Sequence, residues 1–283
     1  MTVGATAALL IAAFLAAGLG SALGMAGGIF LVPLLTTVAH LSFGAAVAIS
    51  LVSVVACSCA SSPTLLIKRL TNIRLAIVLE IAASLGALVG LLAVGAISER
   101  ILYGLFAAVL VVSAGQMLQT RRPRSAPTNV APTSWATQLR LRSSLPGPQR
   151  VETPYIVHGP GAGLAAMFGA GMLATLLGIG SGVLKIPAMD MALRLPLKVS
   201  SATANLMIGI TAAGAAAAVV IRGDLDLGFA APVVVGSVLG SVLGSKVLVC
   251  ANPAHLRIVF FAVLVLLAVP MTLTATGITN VGA

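Results

Sequence analysis

Eight long apolar stretches follow one another along the 283-residue chain, separated by short polar interruptions and one longer one. No other property of the sequence leaves it so few ways to fold. A helix needs roughly 20 apolar residues to cross a hydrocarbon core of about 30 Å. In lipid the backbone must satisfy its own N–H and C=O groups, so helices and closed barrels are the only spanning structures. Stretches at 43–67, 75–97, 101–118, 197–221, 227–250 and 256–276 each suit one helical crossing. The stretches at 3–39 and 156–193 are longer. At 1.5 Å per residue the first would make a helix of roughly 55 Å, too long for one crossing and too short for two. It is interrupted by Gly18, Gly20, Gly24, Gly27, Gly28 and Pro33, so a broken or V-shaped element is expected there.

Composition supports a membrane class and excludes others. Hydrophobic residues make up 59% and charged residues 8%, with a mean hydropathy of +1.13, against about 45–50% and about 25% in soluble domains. The expected fold is therefore an all-α polytopic membrane protein. Sixteen Lys and Arg against six Asp and Glu give a net charge of +10. Most of these charges sit in short clusters between apolar runs, which argues against nucleic-acid binding. Cys57, Cys59 and Cys250 lie inside apolar segments, without the spacing of a disulfide framework or a zinc site. No Lys or Arg precedes the first apolar run. The N-terminus is thus expected to belong to the mature fold rather than to a cleaved signal peptide. There is no Walker A motif, and no cofactor or metal is expected.

The two halves, 1–118 and 156–283, match at a constant offset of 154 residues from Phe14/Phe168 to Val111/Val265. Gly24/Gly178, Gly28/Gly182, Pro33/Pro187, Gly86/Gly240 and Gly90/Gly244 are among the pairs. Coincident glycines and prolines at one offset indicate an internal duplication. Between the halves, 119–155 carries Arg121, Arg122, Arg124, Arg140, Arg142 and Arg150 among Pro, Ser and Thr, the composition of a solvated cytoplasmic linker. An interfacial helix around Trp135, Leu139, Arg140 and Arg142 on anionic lipid is the alternative for part of it. The Lys/Arg distribution tests the topology. If the first run of each half is a V returning to its own side, each half crosses three times and the halves are inverted. Twelve Lys and Arg are then cytoplasmic and only Arg100 and Arg222 external; a single crossing gives ten and four. The inverted arrangement, with both termini outside, is the one expected.

Gly-rich breaks inside apolar runs need an explanation, because irregular backbone in a membrane is tolerated only inside protein or beside water. Transporters supply one: paired broken helices aim half-helix ends at a shared midplane site, where N-terminal ends attract anions. The candidate site residues are Gly24, Gly27, Gly28 and Pro33 in the first half, with Gly178, Gly180, Ser181, Gly182 and Pro187 in the second. Close helix packing through small residues is the alternative. Lys185 follows the second break inside an apolar run, where a charge is costly. It reads as an anion contact, or as a structural pair with Asp190, or as a side chain snorkelling to the cytoplasm. Ser50, Ser53, Thr203 and Asn205 add neutral hydrogen-bonding groups, or else bond helix to helix. Glu80 is the one acid within the first-half spans, and inverted topology places it near Lys246, as a structural or coupling ion pair. His40, His158 and His255 read as interfacial, and Asp224 and Asp226 beside Arg222 as a solvated turn.

Each half thus opens with a glycine-rich stretch running into a proline and then a small-residue segment: GMAGGIFLVPLL then FGAAVAISL, and GIGSGVLKIPAM then LPLKVSSATANLM. This arrangement resembles the sulfite exporter TauE/SafE family of membrane transporters over nearly the whole chain apart from the linker. Two departures stand out: Met25-Ala26 where glycines are commoner, and Lys185 where an apolar residue is usual. The resemblance implies transport of small anions such as sulfite, sulfonates and sulfoacetate, without a nucleotide-binding domain. The expected function is a secondary transporter working by alternating access between the two repeats. The expected partners are a small anionic substrate, membrane lipids and a second copy in a homodimer, and the expected location is the cell (inner) membrane. A non-transporting scaffold or assembly subunit is the alternative. An intramembrane hydrolase has less to recommend it, since Ile179-Gly180-Ser181-Gly182 lacks the first glycine of a GxSG motif.

Overall fold

A computed structural model of the chain describes residues 3–93, 97–118, 143–146, 152–155, 157, 159–177, 182–223 and 225–250. It also describes helical residues at 258–259, 261–262, 265–266, 268–269 and 272. The first half contains α1 (Val3–Ala22), α2 (Gly28–Thr37), α3 (Phe43–Ile67), α4 (Ile73–Ala93) and α5 (Glu99–Leu118). A hairpin follows, β1 (Ser143–Pro146) and β2 (Glu152–Tyr155). The second half contains α6 (Pro160–Leu177), α7 (Gly182–Ala192), α8 (Leu197–Arg222) and α9 (Leu227–Cys250). Among the described residues six helices, α1, α3, α4, α6, α8 and α9, are long and apolar enough to cross a membrane, whereas α2 and α7 have only 10 and 11 residues.

Helix starts recur at the spacing of the sequence match. The pairs α2/α7, α3/α8 and α4/α9 each begin 154 residues apart. The turns recur with them. His40 and Arg194 both adopt a left-handed backbone (φ 51° and 55°), as do Arg69 and Gly223 (φ 52° and 78°). Asn72 Oδ1 accepts from Leu75 N at the start of α4, and Asp226 Oδ1 accepts from Gly228 N at the start of α9. Each is a side-chain acceptor serving an N–H group that lacks an intrahelical partner.

Packing crosses between the halves. Helix α1 lies along α9, and α4 lies along α6, while α3 meets α8 between them. Glycine makes the two long contacts close. A Cβ on Gly86 or Gly90 would strike the carbonyl oxygen of Phe168 or Met172, and one on Gly240 or Gly244 would strike that of Phe14 or Gly18. Backbones in contact gain dispersion and weak polar attraction that apolar lipid cannot replace. The outward faces carry Ile77, Ile81, Leu85, Leu88 and Leu92 on α4, and Leu239, Leu243 and Val247 on α9, all exposed. Lipid is the environment in which such faces cost nothing.

The broken first run is visible directly. In the second half, Leu193 packs on Gly163 and a Cβ on Gly159 would lie 3.1 Å from Ala192 O, so the far end of α7 returns beside the start of α6. In the first half, Gly27 lies against Ala17 and Gly20, folding α2 back on the last turns of α1. One expectation is amended. The segment 119–155, read as solvated linker throughout, ends in an antiparallel hairpin pairing Ser143 with Tyr155 and Pro146 with Glu152. The reason is anchorage: Tyr155 and Val157 are buried, and the Tyr155 hydroxyl accepts from Asn72 Nδ2 at 3.1 Å. The alternative interfacial helix around Trp135 lies outside the described residues.

Candidate transport site

The first break is built by backbone handedness. At the end of α1, Gly24 N–H donates to Ser21 O and Met25 N–H to Gly20 O, the paired bonds of a Schellman cap. Gly24 occupies its left-handed position (φ 82°). Ala26 (φ 52°) and Gly27 (φ 80°) are left-handed as well, and Gly27 caps α2. A left-handed alanine costs about 1–2 kcal/mol, so the departure from glycine at Ala26 carries strain that the buried surroundings must hold in place. Gly24 also presses on the backbone of Ser201 in α8, leaving no room for a side chain. Pro33 lies inside α2, and its carbonyl accepts from the hydroxyls of Thr36 and Thr37.

The two breaks meet. Gly182, the first residue of α7, packs on Met25 of the first break and on Ile208 of α8, where an added Cβ would come within 2.8 Å of Met25 Cα. Gly28, the first residue of α2, is held by α3: Ser50 Oγ donates to Gly28 O at 3.3 Å. The start of α7 therefore lies buried against the turn that leads into α2, whose own first residue is buried against α3. Pro187 lies within α7. Gly178, Gly180 and Ser181 lie outside the described residues.

A polar seam runs between α3 and α8 beside this meeting point. Asn205 Nδ2 donates to Ser61 Oγ at 2.7 Å, and Ser58 Oγ donates to the backbone carbonyl of Asn205 at 2.6 Å. Thr203 Oγ1 accepts from Asn72 N–H at 3.1 Å, so it joins α8 to the cap of α4. Among the described residues, the buried atoms Ser53 Oγ, Ser200 Oγ and Asn205 Oδ1 have no hydrogen-bond partner. Buried polar groups are almost always paired, and those that are not ask for a ligand, a water or another state. Ser200 was not among the residues singled out from sequence. Its signal was the density of small polar side chains in Ser200-Ser201-Ala202-Thr203-Ala204-Asn205 within an apolar stretch.

The charged residues pair differently from expectation. Lys185 Nζ donates to Glu80 Oε2 at 3.0 Å and to the hydroxyl of Thr211. Thr211 in turn contacts Glu80 Oε1, to which Ser84 Oγ donates at 3.3 Å. Lys185 is 0% and Glu80 5% exposed. The partner of Glu80 is thus Lys185 of α7 and not Lys246, which lies exposed on α9. The physical reason is the crossed packing: α4 lies against α6 and α8, not against α9. Likewise Lys185 finds its counter-ion across the repeat boundary, where Asp190 on its own helix had been the sequence-adjacent choice. Thr211, the hydroxyl linking the two charges, carried no distinguishing signal in the sequence.

Helices long enough to span a bilayer, lipid-compatible outer faces and short interior helices at breaks in the first run of each half define a polytopic membrane protein with the broken helices that transporters use. The family model for the sulfite exporter TauE/SafE matches residues 9–271. The chain belongs to this family of membrane transporters, which are not enzymes. No curated protein and no solved structure matches it.

Proposed function

We propose that the protein is a secondary transporter of small sulfur-containing anions, such as sulfite, sulfonates and sulfoacetate, bound where the two breaks meet. The observation that carries this reading is the contact of Gly182 with Met25. It sets the N-terminal end of α7 against the turn that leads into the N-terminal end of α2, which supports a shared site between them. The first N–H groups of a helix have no intrahelical acceptor and sit at the positive end of its dipole, so two such ends near one point favour an anion. The unpartnered atoms Ser53 Oγ, Ser200 Oγ and Asn205 Oδ1 supply polar groups close to that point in the fold. Lys185, one turn into α7, supplies the nearest full positive charge, balanced by Glu80.

The recurrence of helix starts at one offset supports reading the halves as repeats, and the return of α7 beside the start of α6 supports an inverted arrangement of the two. Alternating access then follows as rocking of one repeat against the other around the site. The arginine-rich segment faces the cytoplasm of a cell with its inner membrane as host, on the positive-inside rule, and a homodimer remains the proposed assembly.

Thermal unfolding of the purified protein with sulfite, sulfate, thiosulfate, taurine, sulfoacetate, acetate and chloride tests the reading. A ligand that binds only the folded state raises the melting temperature. A selective rise with a sulfur oxyanion or sulfonate is expected. Equal, negligible shifts with every anion would remove the substrate class.

A further inference from the structure

Two features of the Glu80–Lys185–Thr211 cluster ask for more than a structural tie. The first is its lack of a counterpart. The positions related to Lys185, Glu80 and Thr211 by the 154-residue offset are Leu31, Val234 and Cys57, and Leu31 and Cys57 are fully buried. The same place in the other half is filled without any charge. Replacing a buried ion pair by apolar residues is commonly neutral or stabilising, so packing alone does not call for these ions. The second feature is charge balance. The pair is neutral as a unit, and it lies in a low-dielectric interior one helical turn from Gly182, where the breaks meet. An anion arriving at that point leaves an uncompensated negative charge, which is expensive there. A proton on Glu80 cancels it.

We propose that Glu80 is a proton-binding site that couples proton movement to anion movement, with Lys185 as the residue it controls. The proposal rests on the anion-transporter reading above. A proton from the aqueous phase adds to the Glu80 carboxylate, forming an O–H bond. Lys185 stays an ammonium throughout and exchanges its hydrogen bond to Glu80 for one to the anion. Thr211 and Ser84 remain beside the neutral carboxyl group, and the Thr211 oxygen is placed to accept its proton in a hydrogen bond. Release of the anion on the far side restores the Lys185–Glu80 pair and expels the proton, so no redox partner is involved.

Other ionisable groups lie further off. On α8, Lys198 and Arg222 sit at the two ends, Lys198 donating to Val249 O at 3.0 Å. Helix α6 carries no ionisable side chain. On α7, Asp190 is more than one turn beyond Lys185. On α4 itself Arg74 is exposed near the start. Among the described residues the one ion pair of Glu80 is with Lys185.

The test adds methanesulfonate or thiosulfate, which do not titrate near neutral pH, to the full-length purified protein in weakly buffered detergent with a pH indicator. Wild-type protein is expected to take up about one proton per anion bound, and lower pH to tighten anion binding by linkage. Reconstituted in vesicles, it is expected to accumulate the anion down an inward proton gradient. Glu80→Gln is expected to bind anion with no proton uptake and to keep anion exchange while losing gradient-driven accumulation. The double variant Glu80→Gln/Lys185→Met keeps a neutral cluster and is expected to lose anion binding. Wild-type binding without proton uptake, or a Glu80→Gln protein that still couples, overturns the proposal alone. Retained binding in the double variant overturns the role of Lys185. Binding of neither anion by wild-type protein overturns the transporter reading, and the coupling site with it.

Discussion

Removing one member of the buried pair is the most informative stability experiment. Lys185 is wholly enclosed, and its ammonium donates to Glu80 Oε2 at 3.0 Å and to Thr211. Lys185→Met keeps much of the side-chain volume but leaves the Glu80 carboxylate with only the hydroxyls of Ser84 and Thr211 beside it. Breaking a buried pair from one side costs about 3–5 kcal/mol, because an uncompensated charge stays behind. For a chain of this size that lowers the melting temperature by about 6–20 °C. Adding Glu80→Leu removes the stranded charge, and the apolar pair so formed resembles the Leu31 and Val234 present at the related positions. The double variant is then expected at or above wild-type stability. Thermal unfolding in detergent followed by far-UV circular dichroism reads both effects. A Lys185→Met protein as stable as wild type, or a double variant no better than the single, would refute the reasoning.

Three further outcomes follow from the packing. Gly86→Leu and Gly240→Leu each drive a side chain into a backbone carbonyl, of Phe168 and of Phe14, and each is expected to cost at least about 1–3 kcal/mol; Gly44→Ala, with nothing within 4 Å, is the neutral control in the same unfolding assay. Gly24→Ala meets both a left-handed backbone (φ 82°) and the Ser201 backbone, so a loss of about 1–3 kcal/mol accompanied by loss of anion-induced stabilisation is expected. Asn72→Leu removes the α4 cap and the bond to Tyr155, whereas Tyr155→Phe removes only the second; chemical denaturation should show about 1–3 kcal/mol for the former and less for the latter.

The membrane class and the broken first run were legible because each depends on local composition. The glycine cluster that suggested a break holds Gly24 and Gly27, both left-handed in the structure, and Leu193 folds back on Gly163. What sequence did not reveal is which helix faces which. Glu80 and Lys185 are 105 residues apart, and no periodicity sets the register of α4 against α7. The repeat offset drew attention to Lys246 because that residue lies on the helix equivalent to α4, yet helices related by the offset need not touch. Counting charges would have been the better guide: an acid and a base both placed deep in apolar runs have few other ways to be neutralised. The hairpin at 143–155 escaped for a different reason. Its strands are four residues each and contain Pro146 and Pro154, with no alternation to mark them. Its anchor is one tyrosine bound to a residue 83 positions away.

The crossed packing of first and fourth helices also has a consequence for how the molecule is made. Helix α1 finds its neighbour in α9, so a segment made early waits for one made about 200 residues later. At about 5–20 residues per second, the interval between them is about 10–45 s. Through that time the face of α1 that carries Leu10, Phe14 and Gly18, and that comes to rest against Gly236, Gly240 and Gly244, stands open to lipid or to any other nascent helix. Biogenesis of this protein therefore requires something to shelter that face, or a lipid environment in which α1 stays unpartnered without pairing wrongly. A chain truncated before α9 would lose that helix and, with it, the resting place of α1.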